Sequence, residues 1–198
     1  ASKKNIFFRL IIDTFLKIDK NSVLPTFSKD TLIQSIKNKK FIPEVINDKA
    51  PAFGKKVVIF ATCYVNNNDI ETGVAAQKVL AKNGIDARII YPGCCGMPLL
   101  EQANMEGLIR QVGPIIDKLE MWVNKGYDIV TLTSSCGLML KFEWPLILEN
   151  EYVAKSKFIS KRVYDICEYI VMMANSEGLA DGMSPLEKKV TLHHSCHS

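Results

Sequence analysis

Short apolar runs recur along the chain, and they have the length and composition of buried strands. Residues 56–62 form the clearest of them, a continuous run rich in β-branched side chains, and residues 86–91 and 127–133 follow the same plan. Continuous apolar runs are typical of parallel sheets, whose two faces are both covered by helices. Residues 189–194 have a similar composition, and we expect them to form a fourth strand.

Segments with helical spacing of apolar residues separate these runs. Helices are predicted over residues 69–82, 99–124, 138–148 and 161–175. Gly113-Pro114 should kink or split the second of these helices, since proline cannot donate a backbone hydrogen bond. Cys167 lies on the apolar stripe of the last one, where we expect a buried side chain. The strand–helix repeat predicts an α/β, Rossmann-like parallel sheet with right-handed crossovers and flanking helices.

The chain divides into three parts on this pattern. Residues 1–55 form an N-terminal helical segment and linker, with helices expected over residues 5–19 and 31–39. We expect this pair to cover the flank of the main domain, and the alternative is a contact surface for a membrane partner or subunit. Residues 56–188 form the main domain, and residues 189–198 supply its last strand.

Composition and charge narrow the functional class. The 198 residues, 47% of them apolar, suffice for one α/β domain with a sizeable core. The net charge of +4 is too small and too dispersed to indicate a nucleic-acid partner. No apolar run approaches the roughly 18 residues that a membrane span needs. Charged residues interrupt the apolar start, unlike a signal peptide, so we expect a cytoplasmic chain whose cysteines serve metal or redox chemistry.

Five of the six cysteines follow a predicted strand. They are Cys63, Cys94, Cys95, Cys136 and Cys196. Because the carboxyl ends of parallel strands lie at one edge of a sheet, where α/β proteins bind ligands, we expect these thiols to converge on one cleft. The adjacent Cys94 and Cys95 can face one centre only if the backbone turns sharply, and the flanking Gly93 and Gly96 permit such a turn.

Several chemistries could use such a cleft, and the sequence separates them in part. The turn after the first strand, residues 61–66, contains no glycine, which argues against a dinucleotide site. Paired C-x-x-C knuckles are absent, although four distant cysteines could still hold zinc. The histidines 193, 194 and 197 flank Cys196 and leave a nucleophilic thiol open as a minor alternative. Iron–sulfur ligation fits best, since soft thiolates around an enclosed pocket are what such clusters require.

Three cysteine motifs resemble a known family. They are Cys63-Tyr64-Val65-Asn66, Cys94-Cys95-Gly96-Met97-Pro98 and Ser135-Cys136-Gly137-Leu138-Met139. Their spacing, about thirty and then about forty residues between cysteines, resembles the cysteine-rich "CCG" domain over residues 56–150. That domain occurs in the B subunit of heterodisulfide reductase. It also occurs in iron–sulfur subunits of anaerobic glycerol-3-phosphate dehydrogenase, glycolate oxidase and lactate-utilisation systems.

The resemblance implies a [4Fe-4S] cluster with Cys63, Cys94, Cys95 and Cys136 as ligands. In heterodisulfide reductase the cluster is non-cubane and five cysteines hold it. Here Met139 replaces the last cysteine of the C-x-x-C motif, which leaves four thiolates for an ordinary cubane cluster or a zinc ion. Residues 193–197 resemble the opening of a second repeat, which would make Cys196 a further metal ligand.

The resemblance also implies a role. We expect an iron–sulfur electron-transfer subunit of an anaerobic-type dehydrogenase or heterodisulfide-reductase-like complex, with no catalytic residue of its own. A flavin dehydrogenase subunit or a ferredoxin-like domain would be the partner. A quinone-linked partner would place the protein at the inner face of the cytoplasmic membrane. Two alternatives stay open: a non-redox zinc-thiolate domain, and a metal-free domain that binds a small thiol-reactive molecule at Cys94-Cys95.

Overall fold

One parallel sheet organises the molecule. The computed structural model describes residues 6–23, 25–184 and 187–191. The strands are β1 (Lys56–Phe60), β2 (Asp86–Ile90), β3 (Asp128–Thr131) and β4 (Val163–Asp165). Their order in the sheet is β2-β1-β3-β4, and every neighbouring pair is parallel. The predicted α/β, Rossmann-like architecture is confirmed.

Helices connect the strands and cover both faces of the sheet. In chain order they are α1 (Ile6–Leu16), α2 (Leu32–Lys37), α3 (Cys63–Asn67), α4 (Ile70–Lys82), α5 (Met97–Glu101), α6 (Met105–Asn124), α7 (Ser134–Leu138), α8 (Trp144–Ile147), α9 (Glu151–Ser160) and α10 (Ile166–Ser176). A π-helical turn, Met139–Glu143, joins α7 to α8. None of the helices in the described ranges is both long enough and apolar enough to cross a membrane.

The core lies in two layers, one on each face of the sheet. Alternate side chains of a strand point to opposite faces, so Val58 and Phe60 of β1 pack towards α6, whereas Val57 and Ile59 pack towards α4 and α10. The first layer is the larger and includes Cys95, with the residues of α6 to α9. The cysteine loop is therefore continuous with the main core.

The fourth strand does not come from the segment that the sequence suggested. Residues 189–191 lie outside any strand, and residues 192–194 fall outside the described part of the chain. Val163–Asp165 forms β4 instead, inside the helix predicted over 161–175. The helix begins later because Asp165 caps it, accepting a hydrogen bond from the Cys167 N–H, while Glu168 completes a capping box.

This later start changes the position of Cys167. The prediction of a buried Cys167 is wrong, since the thiol lies exposed in the first turn of α10. The buried stripe of α10 is formed by Tyr169 and Met173.

The helix predicted over residues 99–124 is divided, but not at its proline. The chain leaves the helical conformation between α5 and α6, where Ala103 has φ 53°. Asn104 then caps α6 by accepting a hydrogen bond from the Gly107 N–H at 2.9 Å. Pro114 lies inside the continuous helix α6. Of the two outcomes expected at Gly113-Pro114, a kink or a split, the split is therefore wrong, and α9 fills a polar stretch for which the sequence predicted no element.

The two N-terminal helices differ in their contacts. Leu32 of α2 is fully buried against Ala61 and Val65, so α2 packs on the main domain. Several apolar side chains of α1 are exposed, with Ile6 and Phe15 both 78% exposed.

Tyr169 gives a stability prediction. Its hydroxyl is buried and has no hydrogen-bond partner among the described residues. An unsatisfied buried hydroxyl costs free energy, so Tyr169→Phe should raise the free energy of unfolding by about 1 kcal/mol. Urea denaturation measures the change.

Tyr127 is the matched control. Its hydroxyl donates to Asp86 Oδ2 at 2.9 Å, and Tyr127→Phe should lower the free energy of unfolding by about 1 kcal/mol. A loss of stability in both variants would show that the Tyr169 hydroxyl is satisfied.

Candidate metal centre

Two threonines join the loops that follow β1 and β3. Thr62 and Thr133 precede α3 and α7, and their hydroxyl oxygens are 2.9 Å apart. Thr62 is buried, and its hydroxyl also accepts a hydrogen bond from the Val65 N–H, which begins α3 with Cys63 as its first residue. Cys136 lies one turn into α7. The sheet and this threonine pair therefore bring Cys63 and Cys136 to one edge.

A sharp turn after β2 carries Cys94 and Cys95 to the same edge. Gly93 has φ 152° and Gly96 has φ 89°, values that L side chains adopt with difficulty. Space restricts the turn as well, because a Cβ atom on Gly96 would overlap Leu108 of α6. The glycines thus let the backbone reverse direction while it stays in contact with the core.

Two side chains from other elements hold this turn by its carbonyls. Trp144 Nε1 of α8 donates to the Cys95 carbonyl oxygen at 3.0 Å, and this hydrogen bond is buried. Gln111 Nε2 of α6 donates to the Cys94 carbonyl oxygen at 3.2 Å. The buried Cys95 carbonyl needs such a partner, and the two bonds together hold the backbone that carries both thiols.

The four thiols make a row of pairwise contacts. Cys63 lies next to Cys94, Cys94 next to Cys95, and Cys95 next to Cys136. Cys63 and Cys94 are half-buried, whereas Cys95 and Cys136 are buried at the inner end of the row. Tyr91 closes the outer end, where its hydroxyl donates to Cys63 Sγ at 3.5 Å. The convergence expected from the sheet topology is present for these four cysteines.

Cys94 is the centre of negative charge in the row. The neighbouring Cys63 and Cys95 thiols lower the pKa of Cys94, and the Gly96 N–H and Gln111 act in the same direction. The contact with Cys94 raises the pKa of Cys63, and the contact with Cys136 raises that of Cys95.

The donor set suits a soft metal centre. Thiolates select zinc, copper(I) or iron–sulfur clusters, and the backbone N–H groups of Gly96 and Met97 act to lower the pKa of Cys94 and Cys95 respectively. Within the described ranges, no three His, Cys, Asp or Glu side chains surround one point as ligands of a single ion. The four sulfurs lie side by side in a row.

Residues beyond the predicted ligands shape the centre. Sequence reasoning missed Tyr91, Gln111 and Trp144, because their contacts depend on how α6 and α8 pack rather than on a local motif. Met139, at the position of the missing cysteine, is fully buried in the core layer that also contains Cys95 and Cys136. Cys196 and the three histidines lie outside the described residues.

Gly96 supplies a prediction about the turn. Gly96→Ala should lower the free energy of unfolding by about 2–4 kcal/mol, because it adds the overlap with Leu108 to the strain of a left-handed backbone. Gly126→Ala is the matched control, since Gly126 has φ 83° with nothing within 4 Å of an added Cβ. Strain alone should cost about 1–2 kcal/mol there. Equal losses in chemical denaturation would show that the turn is free to move away from α6.

Comparisons with known proteins identify relatives of this chain. Residues 57–141 match the family model of the cysteine-rich domain CCG, as the cysteine motifs suggested. The chain is 25% identical to the C subunit of the anaerobic glycerol-3-phosphate dehydrogenase of Escherichia coli (strain K12) over 191 residues, 96% of this chain and 45% of the relative. It is 27% identical to "Lactate utilization protein A" of Bacillus velezensis over 147 residues, 72% of this chain and 58% of the relative.

The chain therefore spans about half the length of these curated relatives. No solved structure matches it.

Proposed function

We propose that this chain, which carries a cysteine-rich domain of the CCG family over residues 57–141, holds an iron–sulfur cluster and transfers electrons within an oxidoreductase complex. Cys63, Cys94, Cys95 and Cys136 would be the ligands. The observation that carries the proposal is the row of four thiols, which come from three loops at one edge of the sheet.

The resemblance of the cysteine motifs to an iron–sulfur family favours a cluster over a single ion. Zinc takes its four ligands at one point, whereas a [4Fe-4S] cluster takes one thiolate at each of several irons. Four thiolates complete a cubane cluster, and the buried thioether of Met139 is a poor fifth ligand. We therefore propose the cubane rather than the non-cubane form.

This chain's own residues would tune such a cluster, which when bound supplies one-electron transfer. The backbone N–H groups of Gly96 and Met97 favour the thiolate forms of Cys94 and Cys95, because they act to lower the pKa of these two thiols. Hydrogen bonds to sulfur raise the reduction potential of a cluster, as does access to solvent. Trp144 and Gln111 would act as positioning residues, because they hold the carbonyls of the same two cysteines.

The relatives suggest the setting of this electron transfer. One of them is named as a subunit of an anaerobic dehydrogenase and others as lactate utilization proteins. We propose a flavin dehydrogenase subunit or a ferredoxin-like domain as the electron donor. The acceptor would be a further redox partner, and a quinone-linked one would place the protein at the inner face of the cytoplasmic membrane.

Metal and sulfide analysis after anaerobic purification tests the proposal. The chain should contain iron and acid-labile sulfide in equal amounts and absorb broadly near 400 nm, with bleaching on reduction by dithionite. Zinc without sulfide would instead support a zinc-thiolate domain. Freely titrating thiols with neither metal would contradict both.

Serine variants test the ligands. Cys95→Ser should remove most of the iron and the visible absorption, because the buried Cys95 joins Cys94 to Cys136 in the row. Cys167→Ser is the matched control, and its iron content should equal that of the unchanged chain because Cys167 is exposed on α10, outside the row. An unchanged spectrum in Cys95→Ser would remove Cys95 from the centre.

A further inference from the structure

The free edge of β2 offers hydrogen bonds that nothing in the described chain uses. β2 lies at one end of the sheet order. The Asp86 N–H donates to the Lys55 carbonyl and the Ile90 carbonyl accepts from the Ala61 N–H, so alternate residues of β2 face β1. Ala87 and Ile89 therefore direct their N–H and C=O groups outward, and no described residue bonds to them.

These groups open into a groove rather than onto a flat surface. A cavity of about 510 Å³ lies along the edge, and Ile36, Val45 and Trp122 of α6 line it together with β2. Ala87 is only 7% exposed. Unpaired backbone groups in a recess cost free energy unless a partner binds them. An extended strand is the matching partner, because its own hydrogen-bonding groups also face one side at every second residue, like those of Ala87 and Ile89.

The groove continues to the cysteine row. A second cavity of about 280 Å³ shares Ile90 and Trp122 with the first and reaches Tyr91 and Pro92. The Tyr91 hydroxyl donates to Cys63 Sγ. A strand that fills the groove would therefore end beside the outermost thiol.

Charge distinguishes the two ends of the groove. Lys118 and Lys125 line the end beside Tyr91, and neither forms an ion pair within the described ranges. Glu44 lines the other end, where Asp86 is already paired with Arg88. An incoming strand would gain most from acidic side chains beside Tyr91.

We propose that the free edge of β2 is the docking site for an extended segment of a partner protein, with acidic residues at the end beside Tyr91. The segment would add a fifth strand to the sheet. A second copy of this chain fits less well, because its own β2 is recessed in the same groove. The further step, that docking brings a redox partner to the cysteines, rests on the proposed function.

Synthetic strands provide the test. The probe is an eight-residue peptide of alternating valine and threonine that ends in aspartates, made with the aspartates at either terminus. Binding to the full chain is followed by peptide fluorescence anisotropy and by NMR hydrogen exchange of the Ala87 and Ile89 amides. One of the two peptides should bind and slow exchange at both amides. Versions with lysine for aspartate, or with N-methylated backbone, should bind more weakly.

Charge variants of the chain sharpen the test. Lys118→Glu with Lys125→Glu should weaken binding of the acidic peptide by about tenfold. Lys49→Glu is the matched control, because Lys49 is an exposed lysine that lines neither cavity, and it should leave binding unchanged.

Several results would overturn the proposal. The first is equal binding of acidic and basic peptides, and the second is unchanged hydrogen exchange at Ala87 and Ile89 when peptide is bound. The third is protection of these amides that rises with protein concentration in the absence of peptide, because it would indicate that a second copy of the chain occupies the edge. The measurement is made before and after loading with iron and sulfide. A chain that failed to take up iron would contradict the proposed function and leave this binding result unaffected.

Discussion

The reversal of the backbone between Gly93 and Gly96 is the constraint on which the rest of the centre depends. Two consecutive residues of a strand or helix point their side chains in different directions, so Cys94 and Cys95 can share a centre only where the chain leaves regular structure. The left-handed Gly96 provides that change of direction. Its position against Leu108 makes the turn part of the core, since α6 fixes the depth at which the two thiols lie.

The rest of the fold supplies partners for this turn. The neighbouring strands β1 and β3 deliver Cys63 and Cys136 to the edge at which β2 also ends, and the Thr62–Thr133 hydrogen bond ties their loops together. Trp144 reaches the Cys95 carbonyl from α8, so the segment after β3 also holds the loop after β2. Packing and ligand geometry are thus coupled, because a shift of α8 would move Cys95 and its neighbours in the row.

Local patterns predicted much of this arrangement. The apolar runs identified β1 to β3, and the rule that ligands gather at the carboxyl ends of parallel strands anticipated the meeting of four cysteines. β4 was missed because its three residues, Val163–Asp165, are too few to show a period. The burial of Cys167 was wrong for the same reason, since the later start of α10 turned that residue outward. Tyr91 and Trp144 could not be identified as neighbours of the thiols, because long-range packing makes their contacts.

The meeting of these sulfurs can be measured directly in the metal-free chain. Dibromobimane becomes fluorescent only after it has bridged two neighbouring thiols, and mass spectrometry of the digested protein identifies the bridged pair. The two half-buried thiols of the row, Cys63 and Cys94, should be bridged under reducing, anaerobic conditions, whereas Cys167 should carry only singly attached reagent. Cys63 and Cys94 each labelled singly, with no bridge between them, would contradict the account.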